Sequence, residues 1–305
     1  MQVDPKVDFA FKCLFGSEKR KHLLISLLKA ILQIDIADVT ILNPYNDKEF
    51  PDDKLSILDV KAKVSDGTLI NIEMQVTLAA AYAERGLYYW SALYVDQLSE
   101  GNEYTELAPT VAIHIVDSIL FEDVPEYHVE FGIRAVKHPQ LRLTDRFALH
   151  TIELPKMNLQ VESLSSELDS WCYFLIHAEE LDPAAIPNLP ARDTIQQAIE
   201  ELKIMFQTER ERDLYRGRLK QARDALWIQR ASRKEGLAEG RAEGLAQGRV
   251  VGLQFALNRL LEERFGQSGK ALAERVSTIS ELARLDELLS RVIKAGSLEE
   301  LEQSL

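Results

Sequence analysis

Residues 56–76, SILDVKAKVSDGTLINIEMQV, can hardly be anything but a β-hairpin. Leu58, Val60, Ala62 and Val64 are apolar and alternate with Asp59, Lys61 and Lys63. After Ser65-Asp66-Gly67, the apolar Ile70, Ile72, Met74 and Val76 alternate with Asn71, Glu73 and Gln75. Side chains on a strand point to opposite faces in turn, so each run has one apolar and one polar face.

The pairing register follows from the same pattern. Both apolar sets occupy even positions and share a face only when paired positions sum to an even number. A two-residue Asp66-Gly67 loop would pair 65 with 68 and split the apolar set. A three-residue loop, residues 65–67, pairs 64 with 68 and puts Gly67 where a type I turn with a bulge needs a left-handed residue. Asp59 is then expected opposite Glu73, Lys61 opposite Asn71 and Ile57 opposite Gln75.

Two carboxylates facing each other across a ladder, roughly 5 Å apart at Cβ, destabilise it. A divalent cation between them would reverse that sign, and Mg²⁺ prefers one or two carboxylates plus water and phosphate oxygens. A solvated polar face, with Lys61 and Lys63 neutralising the acids, accounts for the pattern equally well.

Asp59, followed after thirteen residues by Glu73-Met74-Gln75, resembles the PD-(D/E)XK nuclease motif, with Gln75 where a lysine is usual. Together with DFAFKCLFG (8–16), ILDVKAKVSDGTLINIEMQ (57–75) and RGLYYWSALYVDQLSEGNEYTEL (85–107), the chain resembles the Rpn family of recombination-promoting nucleases, also described as transposases of the PD-(D/E)XK type. The likeness covers most of residues 1–155 and the glycine-rich tail. It implies a restriction-endonuclease-like α/β core, a mixed central sheet flanked by helices, with a helical C-terminal extension. It further implies Mg²⁺, or Mn²⁺ in its place, on Asp59 and Glu73, with Asp8 on an early helix as an outer ligand, although a first-turn carboxylate favoured by the helix dipole explains Asp8 about as well. Gln75 would orient the attacking water without adding charge, and Lys61 would supply the cation. Arg85 and Tyr89, four apart on the helix after the active-site strand, would meet DNA, although large aromatics at helical spacing more often fill core.

The 305 residues suffice for one sizeable domain and a smaller one. Neither an apolar run of membrane-spanning length nor a signal-peptide pattern in MQVDPKVDFA is present, which points to the cytoplasm. Cys13 and Cys172 are isolated and imply neither a disulfide framework nor a thiolate zinc site. A net charge of −13 is awkward for a chain that must neutralise phosphates. Residues 203–234, however, hold ten basic and four acidic residues, a local +6. Arg216, Arg218, Lys220 and Arg223 are therefore candidate DNA contacts, although a solvated helix with mixed ion pairs is the commoner use of such a run.

Along the chain, helices are expected at 5–16, 19–33, 79–99, 166–178 and 193–234, the last capped by Asp193. Gly86 is a flaw in the third helix. Beyond the hairpin, strands are expected at 36–42, 110–116, 127–136 and 147–154, with His114 and His150 as core histidines. Asp52 and Asp53 belong to a solvated loop. Gly236, Gly240, Gly244, Gly248 and Gly252 recur every four residues, at a helix-propensity cost of about 4–5 kcal/mol. Close packing against another helix would compensate. Amphipathic helices at 253–265 and 270–294 suit self-association, and a homodimer through them would give a DNA-cutting enzyme its second active site. The expected divisions are a nuclease-like core over 1–160, a helical region ending in the basic helix over 161–235, and a glycine-repeat and helical module over 236–305.

Overall fold

The structure is a computed structural model that describes residues 2–43, 60–76, 82–185 and 189–302. Its chain divides into two compact units, Met1–Trp227 and Ile228–Leu305.

In the first unit α1 (Asp8–Phe15) and α2 (Lys21–Leu32) lead to β1 (Val39–Ile41), β2 (Val60–Val64) and β3 (Leu69–Gln75). Then come α3 (Tyr82–Val95), β4 (Thr110–Val116), β5 (His128–Phe131), the small pair β6 (Arg134–Ala135) and β7 (His138–Arg142), and β8 (Phe147–Glu153). Helices α4 (Glu167–His177) and α5 (Arg192–Ile204) precede α6 (Glu209–Val276), which carries the chain into the second unit and is broken at Gly266, where φ 57° and ψ −136° are not helical; α7 (Leu282–Lys294) and α8 (Leu298–Glu302) follow.

The main sheet has the order β1-β2-β3-β4-β8-β5. Strands β3, β4 and β8 run parallel to one another, and the outer pairings are antiparallel. Central β4, TVAIHIV, is buried along its whole length, as a strand covered on both faces should be. The expected hairpin register is present: Val60 pairs with Ile72 and Lys61 with Asn71. The loop closes through Val64 and Thr68, and Gly67 takes φ 95°, the left-handed conformation that the turn requires.

The apolar face of the hairpin joins the main core. Ile70, Ile72 and Met74 pack with Phe11 and Phe15 of α1, Leu24 and Leu28 of α2, Trp171 and Phe174 of α4, and Ile195 of α5. Helix α4 begins with a capping box, in which the Ser166 hydroxyl accepts from the Asp169 amide at 3.0 Å and Asp169 accepts from the Ser166 amide at 2.9 Å, an arrangement worth about 1 kcal/mol.

The expected helix over 193–234 is broken. Asp193 lies inside the first turn of α5, the cap position belongs to Ala191, and the helix stops at Ile204. Phe206 takes φ 59° and stacks between Phe9 and Tyr215, at 5.5 and 5.1 Å between centroids. Burying that ring outweighs the helical turn it interrupts.

The second unit has its own core of Leu257, Leu261, Leu272, Val276, Leu285, Leu288, Val292 and Leu301. The expected helix over 270–294 is instead two segments, because α6 ends at Val276 and α7 starts at Leu282. Arg264 satisfies the carbonyls at the end of α7, donating to Val292, to Ile293 at 3.1 Å and to Ala295 at 2.9 Å. The glycine repeat is helical within α6, yet a Cβ built on each of its five glycines would meet nothing within 4 Å among the described residues. The close helix packing expected there is not present among them.

Candidate active site

The second face of the sheet is polar at its centre. Asn71, Glu73 and Gln75 of β3 share it with His114 of β4 and with Thr151 and Glu153 of β8, because Glu73 registers with His114 and His114 with Thr151. Helix α3 covers this face. At its far end Trp90 packs on Ala112, Phe147 and Leu149 and donates to the Thr110 carbonyl at 2.8 Å. At its near end the Tyr82 hydroxyl and His114 Nδ1 are 2.8 Å apart. Between them, Gly86 lies so close to His114 that an added Cβ would stand 2.7 Å from the ring. Gly86 is therefore the residue that lets the helix sit down on the sheet, and the propensity flaw expected from the sequence has a packing reason.

One residue before that contact, Arg85 reaches Glu73. Its Nη2 donates to Glu73 Oε1, and its guanidinium lies 5.5 Å from the centroid of the Tyr89 ring. The structure thus brings three of the expected residues, Glu73, Arg85 and Tyr89, into one cluster. Tyr89 is 45% exposed and so does not fill the core. The neighbouring Tyr88, 71% exposed, meets it edge to face.

The cluster is electrostatically tuned. Burial, with Arg85 adding to it, holds the His114 pKa down at about 4, so the ring is neutral. The other ring nitrogen, Nε2, has no hydrogen-bond partner among the described residues. Burial, reinforced by the Glu73 charge, pushes the Tyr82 hydroxyl up and keeps it protonated. The sequence marked His114 as a core histidine and gave no sign of Tyr82. Their meeting depends on the parallel β3–β4 pairing, which strand patterns alone do not reveal.

Gln75 is the last residue of β3, and its carbonyl accepts from the Asp117 amide at 3.0 Å. Lys61 stands opposite Asn71, diagonal to Glu73. Asp8, half-buried, accepts from the Phe9 amide at 2.7 Å; burial raises its pKa while Arg218 opposes the shift. Arg218 is thus near the N-terminal segment, and the charge of Arg223 bears in the same way on Asp4 and Tyr215. Arg216 pairs with Asp213 at 3.5 Å on the surface, and Lys220 is exposed. Asp59, Asp52 and Asp53 lie outside the described residues.

Among the described residues no three His, Cys, Asp or Glu side chains cluster closely enough to cage a metal. The half-buried Glu73 carboxylate is a single hard oxygen ligand, the donor type that hard divalent cations take together with water and phosphate oxygens. No helix among the described residues is long and apolar enough to cross a membrane.

A mixed six-stranded sheet between helices, with a glutamate on the second strand of its β-hairpin, is the architecture of a PD-(D/E)XK fold. The family model described as PD-(D/E)XK nuclease family transposase matches residues 5–231, and the chain belongs to that family. The comparisons with curated proteins and with solved structures return no match.

Proposed function

We propose that the chain is a divalent-metal-dependent DNA endonuclease that hydrolyses phosphodiester bonds, and that the breaks it makes promote recombination or act on foreign or mobile DNA. The observation that carries this reading is the placement of Glu73 on the polar face of β3, with Asn71 and Lys61 paired beside it in the hairpin and Arg85 upon it. Asp59 and Glu73 would hold the ion, with Asp8 as a further ligand. The chemistry a divalent ion supplies there is a more acidic bound water and neutralisation of phosphate charge.

The protein's own side chains would do the rest. Gln75, the next residue along β3 on the face of Glu73, would orient the water through its amide. Lys61 would supply positive charge from the adjacent strand. Arg85 and Tyr89 would position the DNA backbone, and Arg216, Arg218, Lys220 and Arg223 would hold the duplex through its phosphates. A homodimer through the C-terminal helices would cut both strands.

Plasmid nicking by purified wild type and Glu73→Ala, with Mg²⁺, Mn²⁺ or EDTA, tests the assignment. The expected result is metal-dependent nicking by the wild type that falls about a hundred- to a thousandfold in the variant, the scale of losing one charge-stabilising group. Undiminished cleavage by the variant would remove Glu73 from the site.

A second reading has two observations behind it: Gln75 in place of a lysine, and the Arg85 cation already on Glu73. Both suit a DNA-binding module with weak or no catalysis. DNA binding that persists in EDTA and in Asp59→Asn, without nicking by the wild type, would favour it.

A further inference from the structure

Arg85 holds the position where charge must change if Glu73 is to bind a metal. The pair is half-buried, with the side chains 37% and 19% exposed. The glutamate therefore sits where an unbalanced charge is costly. The helix that carries Arg85 is fixed at the next residue, where Gly86 meets His114 without room for a methyl group. The Arg85 side chain is long, its Nε has no hydrogen-bond partner among the described residues, and its guanidinium has the Tyr89 face to rest on. A fixed backbone with a pivoting side chain can exchange one anion for another.

We propose that Arg85 is the counter-ion of Glu73 in the metal-free protein, that a divalent cation competes with it for the carboxylate, and that the displaced guanidinium turns to a phosphate oxygen of DNA. This rests on the reading of Glu73 as a metal ligand. One carboxylate oxygen that bonds to a guanidinium is a poor ligand, and a guanidinium beside a bound dication raises its energy. A DNA phosphate relieves both at once, since arginine pairs with phosphate oxygens as readily as with carboxylate. Metal and DNA therefore bind with positive coupling, each improving the site for the other. The Arg85–Glu73 pair is then the reason that an ion is held weakly until substrate arrives.

The test is Mn²⁺ affinity, by calorimetry or by the paramagnetic signal of the free ion, for full-length wild type, Arg85→Gln and Glu73→Gln. Each is measured alone and with a short duplex made uncleavable by phosphorothioate linkages. Arg85→Gln is expected to bind Mn²⁺ about tenfold more tightly than wild type without DNA, the scale of removing one competing partly exposed charge. The duplex is expected to tighten Mn²⁺ binding by the wild type several-fold and to leave Arg85→Gln nearly unchanged. Equal or weaker Mn²⁺ binding by Arg85→Gln would overturn the exchange. So would a wild-type affinity that ignores the duplex, a measurement that needs no variant to fold. If Glu73→Gln binds Mn²⁺ as well as wild type, the metal assignment itself fails. If Glu73→Gln loses the ion while Arg85→Gln gains nothing, only the exchange fails.

Discussion

At the scale of single residues, Gly86 separates propensity from packing most clearly. A glycine inside a helix costs about 1 kcal/mol relative to alanine, so Gly86→Ala on an open helix would stabilise. Here the new methyl would stand 2.7 Å from His114 Cε1 and 3.5 Å from Nδ1. The ring would have to move and its contact with the Tyr82 hydroxyl at 2.8 Å would stretch. We expect a net loss of about 1–3 kcal/mol, the usual cost of overpacking, and a smaller or reversed effect when His114→Ala makes room. A double-mutant cycle followed by urea unfolding reads the difference; a Gly86→Ala protein more stable than wild type would show that the helix has slack. Sequence alone exposes the propensity of Gly86 but not its neighbour, because His114 arrives from twenty-eight residues further along the chain.

At the scale of elements, what the sequence discloses depends on how local the cause is. The β2–β3 register needs only the parity of the apolar positions and one glycine, and both lie within the hairpin. The break after Ile204 needs Phe9, about two hundred residues away, and periodicity could not disclose it. The polar site is legible by halves for the same reason: Glu73, Arg85 and Tyr89 are close in sequence, whereas Tyr82 and His114 meet only through a parallel crossover. The β5–β8 pairing supplies another contact of this long-range kind, between His128 and His150. Their Nε2 and Nδ1 are 3.0 Å apart, so one ring donates and the other accepts. Burial holds the His150 pKa down at about 4, with His128 adding to the shift and Glu130 across the ladder opposing it. An unfolded His150 takes up its proton near 6.5. Between those values the unfolded chain binds more protons, so stability is complete above about 6.5 and falls as the pH drops toward 4. The contribution is at most about 3 kcal/mol. His114 adds a similar slope, so the comparison must be with a variant: His150→Leu should unfold in urea with a visibly shallower dependence between pH 7 and pH 5. An unchanged slope would mean that His150 is as easily protonated folded as unfolded.

At the scale of the whole molecule, the two hydrophobic cores share no residue. The family match ends at residue 231, close to where the first unit ends at Trp227. The first core is built around the sheet, from Val3 to Tyr215, and gathers buried residues of α1, α2, α4 and α5 with those of β3. The second runs from Leu257 to Leu301, almost all of it helical, and includes Leu285 and Leu288 of α7. Cores that exchange no side chain lose stability separately unless the helix between them transmits the loss. Leu285 is fully buried, and Leu285→Ala should cost the second unit about 2–5 kcal/mol, the range for emptying a leucine site. Amide hydrogen exchange should then speed up across Leu282–Lys294 and leave Lys21–Leu32 of the first unit as protected as before. Faster exchange in α2 as well would show that the units unfold as one. In that case α6 would be a mechanical link, and a change in the C-terminal module would reach Glu73 and Arg85 through the stability of the sheet that holds them.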